Sequence, residues 1–533
     1  MTATDQPTSR ILATFSRTTT VRVNRLALLD LITEAKRFAD AKSTMPILAT
    51  TLLQVEPEGK LRVAATDLLR TVDGKIKADV ATTTTGSLVD FAAALEESVR
   101  SGLVAEQAVA LLQPAVGIDA KKLHEVVKAL PGDEVEVLFQ EKLALTETDT
   151  FRENKTRVCS VCRKRSVSAA ADGTCIDKPS YAAKAPCGGK LLDTSRDVSY
   201  SVEVSLLAGK TRFNLRSLPG RDFPKLPTVA ASAWHRLDAV VLREVLEKVA
   251  PTISKDTTRS HLNGALLEVG DEMLRGVSTD GHRLAKVDRV LTTTLRTDQG
   301  GQRGFVLPLA GVNELLKFLP ALIGKPKKGA VAAADVEVAL LLSASAATTD
   351  KSHYTTFAWR RPNGDVVYSQ KIESAQFPPY DQVIPRDSEK CAVADRAELI
   401  AALKRMLISA SEKTGGIKVT LQGQDGGTMQ PVTLTLATDN PDVGDASEEV
   451  EGVVGTRCYE WSAGRTSKDL GGVDKKAALN PFIFGVNGKY LLTALEEMGS
   501  ATVHMGFNGA LDPMTLRTAA EDTDVVVIMP MRL

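Results

Sequence analysis

The chain is poor in aromatic residues, at 5% of 533, and carries no net charge, with 66 Lys and Arg against 66 Asp and Glu. The first lack means a core built mainly from aliphatic side chains. The second argues against a protein that grips nucleic acid by bulk electrostatics, which would show a basic excess. It leaves room for basic groups gathered on one surface. No apolar run approaches the ~20 residues needed to cross a bilayer. The start, MTATDQPTSRILATFSR, lacks the apolar stretch and small-residue cleavage site of a signal peptide. The expectation is a cytoplasmic protein that opens with a polar tail over residues 1–18. There is no G-x-x-x-x-G-K-[ST] phosphate loop, so ATP-driven work falls to another protein.

Cysteine is scarce, and its distribution is uneven. Cys391 and Cys458 stand alone, whereas Cys159, Cys162, Cys175 and Cys187 share one short segment. In a cytosolic chain such a cluster suggests metal before disulfide. Cys159-x-x-Cys162 with two further thiolates suits tetrahedral zinc, which would supply folding energy to an insertion too small for a core of its own. Unliganded surface thiols are the alternative. The adjacent Arg163, Lys164 and Arg165 read equally as a DNA or partner contact and as a solvated loop.

What the sequence does have is a pattern repeated three times. An Ala/Ser-Thr-Asp tripeptide follows a strand-like segment in LRVAATDLLR at 61–70, MLRGVSTDGHRLA at 273–285 and VTLTLATDN at 432–440. Ahead of each lies an amphipathic helix with a plausible N-cap, Asn24, Asp238 or Asp395. Leu28, Leu31, Ile32 and Ala35 mark one buried face. Val241, Val245 and Val249 mark the second, and Leu399, Leu403, Met406 and Leu407 the third. A second helix follows in each copy, at 120–130, 310–320 and 488–498. Helices on one face of antiparallel sheets make this an α+β architecture of three similar domains, 19–228, 229–388 and 389–533. Insertions interrupt it at about 82–109, 152–197 and 453–480, where hairpin tips tolerate added length.

STDGHRLA at 278–285, FPPYDQVIP at 377–385 and the terminal VIMPMRL at 527–533 resemble the bacterial DNA polymerase III beta subunit, the sliding clamp. MPIL at 45–48, HLNGALLE at 261–268 and SEKTGGIKVTL at 411–421 are similar to further family segments, and the resemblance runs from about Thr19 to Leu533. It implies a head-to-tail homodimer closing a ring of six domains around duplex DNA, which tethers polymerases and does no chemistry. No cofactor is required for that role. A contact that closes after two subunits avoids an open filament, and zero net charge fits encirclement better than tight electrostatic grip.

Site residues follow from the resemblance. The implied pocket for polymerase and clamp-loader peptides comprises Leu262, Thr279, Gly281, His282, Arg283, Leu284, Pro378, Val383, Val527, Met529, Pro530, Met531, Arg532 and Leu533. Methionines repack around different peptides, and an apolar chain end needs a reason to be tied down. Lys42 and Arg259 match DNA-contacting segments; Lys36, Arg37, Lys248, Lys404, Arg405 and Lys413 join them as DNA candidates by helix position. Phe213, Leu215 and Ile408 match the dimer junction. Ser260, His261, Gln382 and Ser409 depart from family habit, with Ser409 standing where an aliphatic residue is common. These departures and the insertions motivate a second reading: a diverged clamp, carried by a mobile element or resistant to a pocket inhibitor, serving a specialised polymerase. A zinc-dependent nucleic-acid enzyme is a third, and it leaves the repeats unexplained. Asp280, His282 and Arg283 lie together in the chain, but no nucleophile accompanies them and no catalysis is expected.

Overall fold

The computed structural model describes residues 8–56, 58–85, 114–150, 157–159, 165–166, 191–227, 235–270, 272–291, 303–323, 337–343, 354–361, 364–372, 376–386, 390–411, 414–423, 429–455, 481–518 and 523–532, with a few isolated positions besides. The helices expected from apolar spacing are present as α1 (Arg25–Ala35), α2 (Ala120–Ala129), α3 (Ala239–Val249), α4 (Leu309–Ile323), α5 (Arg396–Ser409) and α6 (Gly488–Glu497). Each expected N-cap carboxylate or amide accepts a first-turn N–H: Asn24 from Ala27 at 3.0 Å, Asp238 from Val240 at 2.7 Å and Asp395 from Glu398 at 2.8 Å. Such caps satisfy donors that a helix start leaves unpaired, at about 1 kcal/mol each. On α3 the buried stripe is Ala239, Leu242, Val245, Leu246 and Val249, so Val241 lies at its margin and not within it.

Two compact units make up the chain: 1–227 with 360–369, and 228–359 with 370–533. In the first, α1 packs on α2. Strands Thr50–Glu56, Lys60–Thr66 and Arg70–Lys77 pair in succession, and Ala115–Asp119 adds to the free side of the first. A second sheet centres on Glu134–Thr150, flanked by Thr8–Asn24 and Leu191–Ala208. The sequence reading made residues 1–18 a tail, yet strand structure begins at Thr8. Phe15, Arg17, Thr19, Val21 and Val23 are all buried, the two-residue period of a strand face. The polar members disguise that period in the sequence. Arg17 is tolerated inside because its guanidinium bonds to Glu141, which is also buried.

The insertion boundaries shift for the same reason. Strand Asp79–Thr85 still pairs with Arg22 through Ser16. Asp193 pairs with Thr150, so 191–197 is strand and not insertion. In the third repeat, Gly444–Gly455 remains strand to its end.

In the second unit α3 packs on α4, and α5 on α6. One twelve-stranded antiparallel sheet carries both pairs. Its junction is the pairing of Arg283–Val290 with Val525–Ile528, in the register Arg283 to Ile528 and Lys286 to Val525. This pairing joins the second and third repeats in one sheet. Helix and strand approach closely at Gly276, where a Cβ would strike Val245 of α3.

Glu141→Ala should destabilise the first unit by about 3–5 kcal/mol, because it leaves the Arg17 charge buried without its carboxylate. Urea unfolding followed by circular dichroism reads this. Replacing both residues with apolar ones should cost clearly less, and an equal or larger cost in the double variant would show that the pair is not coupled.

Candidate peptide cleft and basic surface

The first two Thr-Asp repeats are the same turn, built by the same hydrogen bonds. Asp67 Oδ1 accepts from the backbone of Leu69 and Arg70 at 3.0 and 2.6 Å, and Asp280 Oδ1 accepts from His282 and Arg283 at 2.9 and 3.0 Å. The second carboxylate oxygen takes the arginine side chain in both, at 2.9 Å from Arg70 Nε and 3.0 Å from Arg283 Nε. Thr66 and Thr279 each donate to the carbonyl of that arginine, at 3.0 and 2.8 Å. The turn needs a left-handed residue after Asp; Gly281 supplies it at φ 91° without steric cost, whereas Leu68 adopts it at φ 71°. The third copy has Asp442 where the others have arginine, and strand Met429–Asn440 runs straight through Asp439. This geometry also answers the idea of an Asp-His pair. Asp280 is spent on backbone and Arg283, while the His282 ring stacks on Tyr490 at 6.5 Å.

Beside the second turn opens a cleft of about 620 Å³ lined by Leu262, Thr279, Gly281, Arg283, Leu284, Pro378, Val383, Val527 and Met529, all expected, and by His261 and Tyr380, which were not. Beneath it Val277, Leu284, Tyr380, Ile384, Val525 and Val527 form a small buried cluster. The chain end is tied down on both sides: Met529 N–H donates to His282 O and Met531 N–H to Gly485 O, each at 2.8 Å. Pro530 and Arg532 lie along this segment but are not among the lining residues, and Leu533 lies outside the described residues. Arg283 is fixed by Asp280, by Pro251 O at 2.6 Å and by the Tyr490 ring at 4.4 Å. Tyr490 sits on α6, far along the chain, and no local signal marks it. Tyr380 lies within the quoted FPPYDQVIP motif but is not among the expected pocket residues. Its phenol donates to Glu268 at 2.8 Å and accepts from Arg275 at 3.2 Å. Burial and the Glu268 bond push its pKa well above the ordinary range, so it stays a donor.

The expected basic residues differ in their surroundings. Lys36, Arg37 and Lys42 are exposed at and beyond the end of α1. Lys248 is instead paired with the largely buried Asp524 at 2.6 Å, and Lys404 and Arg405 pair with Glu496 and Glu448. Arg259 lies 3.5 Å from Asp256, and Lys413 is outside the described residues. Sequence reasoning missed Lys128 on α2. The His124 pKa is lowered by burial and then by the charges of Lys36 and Lys128, which places both cations near it across the α1–α2 pair.

At the expected dimer positions, Phe213 and Ile408 are exposed apolar side chains, at 36% and 81%, and Leu215 is half-buried. Ser409 leaves no hole: it donates to Met406 O at 3.2 Å and bonds Thr438 at 2.6 Å. Of the cysteine quartet, Cys159 ends strand Arg157–Cys159, and Cys162, Cys175 and Cys187 lie outside the described residues. No helix among the described residues is long and apolar enough to cross a membrane.

Models of the DNA polymerase III beta subunit match twice, the N-terminal domain at 19–156 and the central domain at 236–323. The beta sliding clamp of Pseudomonas putida is 28% identical over 326 residues, covering 61% of this chain and 73% of that protein. That of Vibrio cholerae is 25% identical over 353 residues, covering 64% and 80%. The chain belongs to the DNA polymerase III beta-subunit family. A crystal structure of the Pseudomonas aeruginosa sliding clamp with ligand shares the clamp fold, with a TM-score of 0.62 at 22% identity over 97% of this chain and 100% of that one. The clamp from Thermotoga maritima aligns with a TM-score of 0.59 at 19% identity.

Burial raises the pKa of Asp524, but hydrogen bonds from Arg289 and Lys248 outweigh it and hold the carboxyl below its ordinary value. A depressed carboxylate contributes stability above its unfolded pKa, near about 4, and loses it as pH falls through the folded value. Asp524→Asn should therefore destabilise this clamp-family chain near neutrality, with the deficit shrinking from about pH 6 to about pH 3 in thermal unfolding. A deficit constant across that range would refute the ion pairing as its cause.

Proposed function

We propose that this chain is a DNA sliding clamp. Two copies close head to tail around duplex DNA, and the ring tethers a polymerase for processive synthesis without chemistry of its own. The observation that carries this reading is the cleft of the second unit, apolar and closed by a tied-down chain end, on a sheet carrying paired helices. An extended apolar peptide from a polymerase or a clamp loader fits such a lining, and Met529 and Met531 suit a site with several partners. Contact with DNA is weak and independent of sequence, through lysines and arginines such as Lys36, Arg37 and Lys42. Opening of the ring falls to a separate ATP-driven loader. The dimer junction uses Phe213, Leu215 and Ile408, whose exposed apolar surface is otherwise costly.

A loaded clamp should stay on circular DNA at high salt, because its hold is topological, and leave once the circle is cut. An electrostatic binder is released by salt from both forms. Loss from intact circles at high salt, after verified loading, would overturn the ring. Ile408→Asp should shift the dimer towards monomer in sedimentation and abolish salt-resistant retention; an unchanged dimer would remove Ile408 from the junction.

A further inference from the structure

The cleft has a wall that is anchored from behind. Pro378, Tyr380 and Val383 line it, and Tyr380–Gln382 forms one short helical turn within it. The Tyr380 ring is buried at 8% exposure, with its hydroxyl turned away from the apolar lining towards Glu268 and Arg275. Arg275 is itself clamped by both oxygens of Asp288, at 2.7 and 3.0 Å, and lies 3.6 Å from Glu268. Asp288 also takes Lys286 at 2.9 Å, and its backbone N–H donates to Asp524 at 3.2 Å. Glu268, Arg275 and Asp288 sit on three successive strands of the rigid sheet. The wall by contrast is loop, and its own hydrogen bonds are short-range: Val383 N–H to Tyr380 O at 3.0 Å and Gln382 N–H to Pro379 O at 3.4 Å.

We propose that Glu268, Arg275 and the Tyr380 hydroxyl form a brace that holds the Pro378–Val383 wall at the spacing an extended apolar peptide requires. Peptide affinity is then set partly by Arg275 and Glu268, positioning residues behind the wall. This rests on the peptide-cleft reading above. The physical reason is preorganisation. A loop free to shift leaves the cleft competent for only a fraction of the time, and the apparent affinity falls by that fraction. Such a loss appears in association, because the peptide, once seated, makes the same contacts.

The test uses the full chain and a fluorescein-labelled leucine-rich apolar peptide, with affinity and rates read by anisotropy. Tyr380→Phe keeps the ring and removes the brace. It should weaken binding about tenfold, with the loss in the on-rate and the off-rate within about twofold. Arg275→Met should do the same, and the double variant should be no weaker than either single one, since both break one device. If Arg275→Met fails to fold, Glu268→Leu takes its place in the cycle. Single variants within about twofold of the parent, additive losses, or a loss confined to the off-rate would each overturn the brace. Met529→Asp separates the two readings: peptide binding that survives it refutes the cleft itself, whatever Tyr380→Phe does.

Discussion

The antiparallel pairing of Arg283–Val290 with Val525–Ile528 is the constraint on which the second unit depends. It fuses the second and third repeats into one sheet and brings the chain end against the Thr279–Arg283 turn. The apolar strip Val525, Val527 and Ile528 is buried by that pairing, and burial of such side chains contributes roughly 1.5–3 kcal/mol each. Met529 then leaves the strand already positioned beside His282, and the cleft is the space between this end, the turn and the Pro378–Val383 wall. A site formed this way needs no moving part. Its shape is inherited from sheet register, which sends Val525 and Val527 to the cluster beneath the cleft and Ile528 to the core on the opposite face, so a slip by one residue would exchange the two.

Part of the charge in the second unit is paired internally. Lys248, Arg289, Asp524, Asp288, Lys286, Arg275 and Glu268 form linked ion pairs around the junction. The result reconciles a neutral chain with a family whose members act on DNA. Cations here hold the sheet and the cleft wall, and the exposed Lys36, Arg37 and Lys42 of the first unit stand outside that network of the second. A modest exposed basic surface suits a protein that must slide, since each added phosphate contact raises the cost of moving on.

The repeats deserve a chemical reading. The Thr-Asp tripeptide matters because a carboxylate two or three residues ahead of backbone N–H groups closes a tight turn, with an arginine to hold its second oxygen. The turn at Asp67 and the turn at Asp280 share every one of these bonds, whereas the third copy has Asp442 in place of the arginine and turns one residue later, where Asn440 Oδ1 accepts from the Asp442 N–H at 3.1 Å. Only the turn beside the chain end became a cleft. Identical local chemistry thus yields a site at one place and a plain corner at another, according to what packs next to it.

The sequence by itself determined the features that depend on near neighbours. These are the six helices with caps at Asn24, Asp238 and Asp395, the two Thr-Asp turns and the apolar chain end. Each rests on spacing of a few residues, where backbone geometry leaves little choice. Tertiary structure alone decided the rest. Lys248 reads as a free helix cation until Asp524, 276 residues away, is seen to hold it. Tyr380 and Tyr490 carry no local sign of their distant partners, Glu268 and Arg283. Phe15 and Arg17 read as a polar tail because the carboxylate that lets arginine be buried, Glu141, lies on another strand. The physical reason is common to all three. Burial and ion pairing are properties of groups that meet in space, and their free energies carry no trace in the order of the chain.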